Sequence, residues 1–403
     1  GEIPSELEGS LYRIGPNPQF APRGQYHWFA GDGMIHNFKL DNGRVSYENR
    51  WVRTTNWKLE NEAGESLFSP LNPMQNDPSV ANVRTDGIAN TNIVWHGGKL
   101  LALVESHAPF EIDPESLNSI GPWTFQDKLS GPMTAHPKID PESGEMLFFA
   151  YNADPENRVS SRMAFHKADK HGNLVHSEFF DAPYSAMVHD FIVTKEHVIF
   201  PIMPLTSSME RAMGGGSLYA WDPSKNSYIG IMPRDGCSSD LRWFEGDPAY
   251  VFHPMNAYND GDKIICDVCE YPEAPLFPHA DGSKPDPTKS TAKLTRWTFD
   301  LNANTDTYHR EQLDDTISEF PRLDERYTGL NYRYGYFACS VEGGAIDNRY
   351  NGIGRIDQKS NHVAIYSMSE QFAVSEPVFV PRTERSPEGE GFLLATVYDA
   401  AID

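Results

Sequence analysis

The segment Lys138-Ile-Asp-Pro-Glu-Ser-Gly-Glu-Met-Leu-Phe-Phe-Ala150 holds the pattern that decides the fold. Apolar residues stand near both ends, and Asp-Pro and Ser-Gly lie between them. Proline presets φ for a turn, and an aspartate side chain can hydrogen-bond its own backbone there. The segment therefore predicts a strand, a tight turn and a second strand that begins at Met146.

The same combination of a short apolar run and a turn recurs along the chain. An aspartate directly follows an apolar residue at 111–114, 220–223, 298–300 and 355–357 as well. Glycine turns stand beside other strand-like runs, such as 100–104 and 391–398. The 31 glycines and 30 prolines are spread evenly, which argues against long helices.

Strands at such regular spacing are typical of a sandwich, a barrel or a propeller. Propeller blades of about 40–50 residues can fill a chain of 403 residues without a domain break. No linker divides the chain, although 207–216 has the composition of a flexible stretch and 274–290 that of a proline-rich loop. We predict one all-β propeller domain over residues 1–403, and the degenerate repeat leaves the number of blades open.

The composition excludes several classes of protein. The formal net charge is −23 and no stripe of lysine and arginine opposes it, so nucleic acid is not an expected partner. Four cysteines are too few for a disulfide framework. Cys266 and Cys269 have the spacing of a zinc or redox pair, but the alternating run 263–271 predicts a strand, in which they point to opposite faces.

No apolar stretch reaches the roughly 18 residues of a membrane span, and no signal peptide opens the chain. We therefore expect a soluble, cytoplasmic protein. The acidic surface disfavours electrostatic docking on anionic lipid, but peripheral membrane contact through apolar side chains stays open. The oligomeric state stays open as well.

Three of the 14 histidines lie in similar surroundings. His136, His189 and His253 are each flanked by small or apolar residues near the start of a predicted strand, at separations of 53 and 64 residues. These separations match about one blade each, and the inner strands of a propeller begin near its axis, so the imidazoles would converge. Spacing alone leaves an alternative equally open, namely partly buried histidines that bond nearby carbonyls.

An all-imidazole site suits iron, copper or zinc. Neutral ligands leave the ion's +2 charge uncompensated, which favours ferrous iron with positions open for O₂. Imidazole ligands usually donate their second N–H to an acceptor. Glu105, Glu319 and Glu376 are candidate acceptors because each lies in an apolar run, where an unpaired carboxylate is costly. Each could instead face solvent from a strand.

Motifs along nearly the whole chain resemble those of the carotenoid cleavage oxygenases. The matching segments are 7–18 (Leu-Glu-Gly-Ser-Leu-Tyr-Arg-Ile-Gly-Pro-Asn-Pro), 28–36 (Trp-Phe-Ala-Gly-Asp-Gly-Met-Ile-His), 89–92, 134–138, 188–191, 252–253, 319–322 and 376–382 (Glu-Pro-Val-Phe-Val-Pro-Arg). The segments 200–204 and 242–244 are most similar to a bacterial branch that includes stilbene- and isoeugenol-cleaving enzymes.

The resemblance implies a seven-bladed β-propeller with loops and short helices that cap the iron-containing face. It implies Fe(II) on four histidines, three of them the histidines named above, with the three glutamates as the acceptors behind them. The implied reaction adds both atoms of O₂ across an alkene and gives two carbonyl products. No redox cosubstrate is implied, because the cleaved bond supplies the electrons.

One part of the family pattern has no match in this sequence. The family's fourth histidine lies well after the segment 376–382, whereas His309 and His362 precede Glu376 and no histidine follows it. We expect the sequence to stop short of the fourth ligand. Iron would bind weakly to a protein that truly ended at Asp403.

A second difference concerns the substrate. Stilbene cleavers of the bacterial branch grasp a phenol with a tyrosine and a lysine, at positions that correspond here to Leu71 and Val104. A buried polar group facing these apolar residues would cost about 1–3 kcal/mol, whereas a polyene gains about 25 cal/mol per Å² buried. With Phe29 as an aromatic wall near the iron, the expected function is Fe(II)-dependent cleavage of a carotenoid or apocarotenoid.

Two alternatives accompany this expectation. The same chemistry on a stilbene or a phenylpropenoid would yield aromatic aldehydes. More remotely, the chain could be a propeller that binds a ligand without catalysis.

Overall fold

The structure is a computed structural model that describes residues 2–23, 26–69, 73–157, 159–341 and 349–402. Its regular elements are almost all β-strands. The first fourteen in chain order are β1 (Gly9–Pro16), β2 (Gly33–Asp41), β3 (Arg44–Trp51), β4 (Asn92–His96), β5 (Lys99–Leu103), β6 (Phe110–Ile112), β7 (Ser119–Pro122), β8 (Lys138–Ile139), β9 (Met146–Ala150), β10 (Arg162–Ala168), β11 (Leu174–Asp181), β12 (Ile192–Val193), β13 (His197–Ile202) and β14 (Leu205–Ser207). They are followed by β15 (Tyr219–Trp221), β16 (Ser227–Pro233), β17 (Arg242–Gly246), β18 (Tyr250–Asp260), β19 (Lys263–Tyr271), β20 (Lys293–Asp300), β21 (His309–Leu323), β22 (Tyr334–Ser340), β23 (Gly352–Asp357), β24 (His362–Ser367), β25 (Phe372–Val374), β26 (Val378–Pro381), β27 (Gly391–Leu394) and β28 (Val397–Asp399).

The described residues also include two short helices, α1 (Thr55–Ala63) and α2 (Met209–Met213). Single 3₁₀ turns are found at Pro73–Gln75, Pro78–Val80, Ser238–Asp240 and Glu325–Tyr327. Neither helix in this part of the chain has the length and apolar character needed to cross a membrane.

The chain forms two compact units, one of residues 1–137, 143–181 and 208–218 and one of residues 138–142, 182–207 and 219–403. In the first unit the hydrogen-bonded strand orders are β1-β2-β3, β4-β5-β6-β7 and β9-β10-β11, all antiparallel. Neighbours in each sheet are also neighbours along the chain. This up-and-down order is the arrangement of a propeller blade.

Most strands of the second unit follow the same rule. Strands β18 to β24 form one antiparallel sheet in strict chain order, and β12-β13-β16-β17 form another. The hairpin β14-β15 is inserted between β13 and β16, and the last strands pair as β25-β28 and β26-β27. Because the connections between most neighbours are short, local turn chemistry sets most of the pairing.

The hairpin between β2 and β3 is an example of that turn chemistry. Asn42 and Gly43 have φ values of 49° and 72°, in the left-handed region that a two-residue type I′ turn requires at both positions. Asparagine and glycine adopt this region most readily. The turn thus has the geometry expected of the short strand-and-turn pattern that recurs along the sequence.

The core of each unit contains large aromatic side chains. In the first unit every residue of β9 is buried, and Phe148 stacks on Phe125 with ring centroids 5.3 Å apart. In the second unit Trp297 and Phe299 are fully buried and meet edge to face at 6.5 Å. Truncation of such a side chain to alanine typically costs about 3–5 kcal/mol, so these positions contribute strongly to the stability of their own unit.

Three local predictions have definite outcomes. The apolar run 391–398 is not one strand, because β27 ends at Leu394 and β28 begins at Val397, each pairing with a different partner strand. The stretch 207–216 contains α2, whose first turn is capped by the side chain of Ser208. Cys266 and Cys269 lie on β19 as fully buried free thiols, and burial raises the pKa of both.

Asp32, which directly precedes β2, is a buried carboxyl group. It is 6% exposed and accepts a hydrogen bond from the amide of Gln19 at 3.1 Å. Burial, assisted by the negative charge of Glu60 and opposed by the bond from Gln19, raises the pKa of Asp32 from 3.8 to about 6. Ionised Asp32 therefore costs stability at neutral pH.

We expect the substitution Asp32→Asn to stabilise the fold above pH 6. A folded-state pKa above the unfolded value contributes stability that is complete below about pH 4 and is lost as the pH rises through about 6. Asparagine cannot ionise and still accepts the bond from Gln19, so the gain at pH 8 is at most about 3 kcal/mol. Urea unfolding at pH 5 and pH 8 measures it, with exposed Asp41→Asn as the control. Identical pH dependences of wild type and Asp32→Asn would contradict the assignment.

Candidate metal centre

His253 lies near the start of β18, where the pairing with β19 is irregular. The register shifts between Val251 and Pro254 and again between Pro254 and Asn256. Proline cannot donate to the ladder, and a bulge breaks the strict alternation of side chains along a strand. The bulge thus accounts for the position of His253 in an otherwise regular sheet.

His136 and His189 each precede a very short strand. His136 lies just before β8, and its amide donates to the hydroxyl of Thr134 at 3.0 Å. His189 lies just before β12 and is 7% exposed. The structure therefore places all three histidines near strand starts, as the sequence predicted.

The three imidazoles come together. One ring nitrogen from each of His136, His189 and His253 lies within 4.8 Å of the others. The Nε2 atoms of His189 and His253 are 3.1 Å apart, and their rings meet edge to face. Nitrogen ligands about 2.0–2.1 Å from one ion lie roughly 3 Å apart when adjacent, so this spacing suits a shared metal.

Glu319 on β21 is the acceptor behind His253. Its Oε2 lies 2.7 Å from Nδ1 of His253, and the carboxylate is buried, with 2% of the residue exposed. A carboxylate in this position keeps the proton on Nδ1 and leaves the Nε2 lone pair directed to the centre. The two residues are 66 positions apart in the chain.

A local distortion of β21 accompanies this contact. The register against β22 shifts between Glu319 and Arg322, and Phe320 has a φ of 50°. The amide of Phe320 donates to the carboxylate of Glu319. A left-handed conformation costs a non-glycine residue about 1–3 kcal/mol, and such cost is typical of functional sites. The distortion holds the carboxylate against His253.

Burial and the negative charge of Glu319 shift the pKa values of three titratable groups in this region. Burial alone would lower the pKa of His253, but the charge of Glu319 and the hydrogen bond to it leave that pKa above its ordinary value. Burial and then the charge of Glu319 raise the pKa of the phenols of Tyr271 and Tyr350. Both phenols therefore stay protonated at neutral pH.

The other two predicted carboxylates have different partners among the described contacts. Glu105, in the turn after β5, accepts a hydrogen bond from the hydroxyl of Tyr151 at 2.6 Å. Glu376, between β25 and β26, pairs with Arg322 at 3.1 Å. Their predicted role as acceptors behind metal ligands stays a prediction.

The residues present fit a divalent transition metal. Imidazole nitrogens suit iron, copper and zinc alike, so the donor set narrows the metal to this group. The second oxygen of Glu319, Oε1, is buried without a hydrogen-bond partner in the described part of the chain. Such a carboxylate is stabilised by positive charge nearby, which an ion on His253 would provide.

The three predicted substrate contacts have different outcomes. Phe29 is half-buried, meets His27 edge to face at 4.8 Å, and accepts a bond from Asn90 through its carbonyl oxygen. Val104 is half-buried directly after β5. Leu71 lies outside the described residues. Their roles toward a substrate stay predictions.

The spacing of the histidines did not identify the aromatic side chains around them. Phe252 packs edge to face against His189 at 5.3 Å, and Phe320 lies 5.3 Å from the ring of His253. Both could have been found by adjacency, because Phe252 directly precedes His253 and Phe320 directly follows Glu319. These rings place an apolar wall beside the imidazoles.

The whole chain matches a known protein family. The family model described as retinal pigment epithelial membrane protein (RPE65) matches residues 1–403. Isoeugenol monooxygenase of Pseudomonas putida is 38% identical over 408 residues, which cover 98% of this chain and 84% of that protein.

Two solved structures are similar over the full length of the chain. Lignostilbene dioxygenase of Pseudomonas brassicacearum has a TM-score of 0.94 at 34% identity, covering 100% of this chain and 86% of that one. Cobalt-substituted ACO of Synechocystis has a TM-score of 0.86 at 29% identity with the same coverage. The prediction of an all-β propeller is confirmed.

Proposed function

Because this chain belongs to the retinal pigment epithelial membrane protein family of carotenoid oxygenases, we propose that it is an iron-dependent oxygenase that uses O₂ to cleave a carbon–carbon double bond next to an aromatic ring. The substrate class is a phenylpropenoid or a stilbene. The products are two carbonyl compounds, one of them an aromatic aldehyde. Membership in the family also confirms the resemblance drawn from the sequence motifs.

One observation carries the proposal. Ring nitrogens of His136, His189 and His253, which are far apart in the chain, lie within 4.8 Å of one another. Glu319 holds the far side of one of these rings at 2.7 Å. An imidazole cluster with a carboxylate behind it is the arrangement by which proteins hold a catalytic metal.

The substrate class rests on the relatives. Isoeugenol monooxygenase and lignostilbene dioxygenase favour the phenylpropenoid and stilbene alternative over the carotenoid that the sequence suggested. That expectation depended on the apolar character of Leu71 and Val104. An apolar side chain packs against an aromatic ring as readily as against a polyene, so this character does not discriminate between the two substrates.

The protein's residues have limited but definite tasks in this reaction. Bound iron would supply the position at which O₂ is reduced. Glu319 keeps the proton on Nδ1 of His253, and Phe252 and Phe320 offer flat apolar surfaces to a planar substrate and exclude water. Since an alkene and O₂ together contain all the atoms and electrons of two carbonyl products, no side chain needs to transfer a proton overall.

A substrate panel tests the proposal. The protein is loaded anaerobically with Fe(II), exposed to air, and given isoeugenol, resveratrol or an apocarotenal in separate reactions. We expect an aromatic aldehyde from isoeugenol or resveratrol, with one O₂ consumed for each alkene cleaved. Chromatography of the aldehydes and an oxygen electrode provide the two measurements.

Iron-free protein and iron-treated His253→Ala protein serve as blanks in the same assay. Cleavage of the apocarotenal alone would restore the carotenoid alternative. Full metal loading without turnover of any of the three compounds would support a binding propeller instead.

A further inference from the structure

An ion pair between half-buried Lys138 and buried Asp190 is close in sequence to two histidines of the cluster and has no task in the reaction described above. The Nζ atom of Lys138 is 2.7 Å from Oδ1 and 3.0 Å from Oδ2 of Asp190. The side chain of Asp190 is 4% exposed and that of Lys138 20%. Aspartate is rarely buried to this extent unless it is paired.

The two members of the pair stand at specific places in the chain. Lys138 is two residues after His136, and Asp190 directly follows His189. The pair therefore joins the segments that carry two of the three histidines, which are 53 residues apart. A contact at this position restricts how far those segments can separate.

Backbone geometry supports such a link. Lys138 begins the two-residue strand β8, and Asp140 directly follows the end of that strand. Ile139 is exposed, whereas Asp140 is buried and pairs with Arg234. The segment after His136 is thus held by two ion pairs, one through Lys138 and one through Asp140.

The other end of the link is equally constrained. Oδ1 of Asp190 also accepts the amide of Phe191 at 2.7 Å, which fixes the carboxylate relative to its own backbone. The ammonium of Lys138 lies 5.8 Å from the centre of the Phe191 ring. Few alternative rotamers satisfy the ion pair, the bond from the Phe191 amide and the contact with the Phe191 ring together, so the ion pair is preorganised.

We propose that Lys138 and Asp190 are positioning residues that set the spacing of His136 and His189 and thereby slow the loss of the bound metal. The pair need not touch metal or substrate. The inference rests on the proposed function only in requiring that the histidine cluster bind a metal. It makes no assumption about the substrate.

The rate at which the protein loses bound iron tests the positioning role of Lys138 and Asp190 independently of turnover. The full chain is loaded with Fe(II) under argon, and transfer of iron to a ferrous chelator is followed by absorbance. Lys138→Met would leave the carboxylate of Asp190 buried without its ion-pair partner, which could destabilise the fold. The double variant Lys138→Met/Asp190→Asn removes both charges and is therefore measured beside the single variant. We expect the double variant to lose iron about 10–100-fold faster than wild type, the range typical of lost outer contacts.

Two further variants complete the design. Lys138→Arg keeps the charge and both carboxylate contacts, so it should retain iron nearly as wild type does. Lys99→Met breaks a half-buried ion pair of similar geometry with Glu111, 2.6 Å long, and serves as the matched control with unchanged iron release. A Co(II)-loaded sample of the double variant should also have an altered visible spectrum, because the ligand geometry changes.

The results separate the two hypotheses. A double variant that is folded by circular dichroism and releases iron at the wild-type rate would overturn the positioning role. An Lys138→Arg variant that loses iron as fast as the double variant would overturn it as well. Wild-type protein that retains iron but cleaves none of the test substrates would reject the proposed reaction while leaving the positioning role in place.

Discussion

A protein with His189 replaced by alanine is expected to bind no iron and to cleave no alkene. His189 is 7% exposed, its Nε2 atom lies 3.1 Å from that of His253, and alanine supplies no ligand in its place. Loss of an outer contact alone typically costs about 10–100-fold in metal affinity, so loss of a ligand should cost more. Iron content after anaerobic loading and desalting, together with aldehyde formation, gives the measurement.

The control for this experiment is His362→Ala, which removes an exposed histidine on β24 and should leave iron content and turnover unchanged. Circular dichroism of both metal-free variants separates loss of a ligand from loss of the fold. Stoichiometric iron in folded His189→Ala protein would mean that the three-histidine assignment is wrong.

Replacing Glu319 by alanine is expected to weaken iron retention by about 10–100-fold and to lower turnover in parallel. The carboxylate is buried and accepts from Nδ1 of His253 at 2.7 Å, so its removal frees that ring to rotate and to change tautomer. Glu319→Gln retains an amide oxygen as acceptor and should have a smaller effect. Competition with a ferrous chelator ranks the three proteins.

Glu311→Ala is the matched control, because it removes an exposed carboxylate from the same strand, β21. Its iron retention should equal that of wild type. If Glu319→Ala protein is folded and retains iron as the control does, the carboxylate does not act through His253.

Much of the local structure could be predicted, because local chemistry decides it. The alternating run 263–271 coincides with β19, and the apolar run that begins at Met146 coincides with β9. The run 391–398 was predicted wrongly as one strand, since its two halves pair with β26 and β25. Apolar periodicity identifies strand-forming residues but contains no information on which partner each half will meet.

The candidate site likewise has features that the sequence predicted and features that it did not. Regular spacing and motifs selected His136, His189 and His253, and the structure brings their ring nitrogens together. The sequence did not predict the bulge near His253 or the left-handed conformation of Phe320 beside Glu319. Both features depend on packing against other strands. The relatives favour the phenylpropenoid and stilbene alternative over the carotenoid expected from the sequence. That expectation depended on the polarity of single side chains without their surroundings.

By itself, the sequence determined the all-β class, most strand and turn positions, the family, and which histidines to test. These features depend on turn residues, period-two alternation and motifs, each of which is contained in a short stretch of the chain. Only the tertiary structure decided that Glu319 meets His253 across 66 positions and that Lys138 meets Asp190 across 52. Contacts between residues so distant in the chain arise when whole sheets pack. Their free energy depends on burial and exact distance, neither of which a linear pattern specifies.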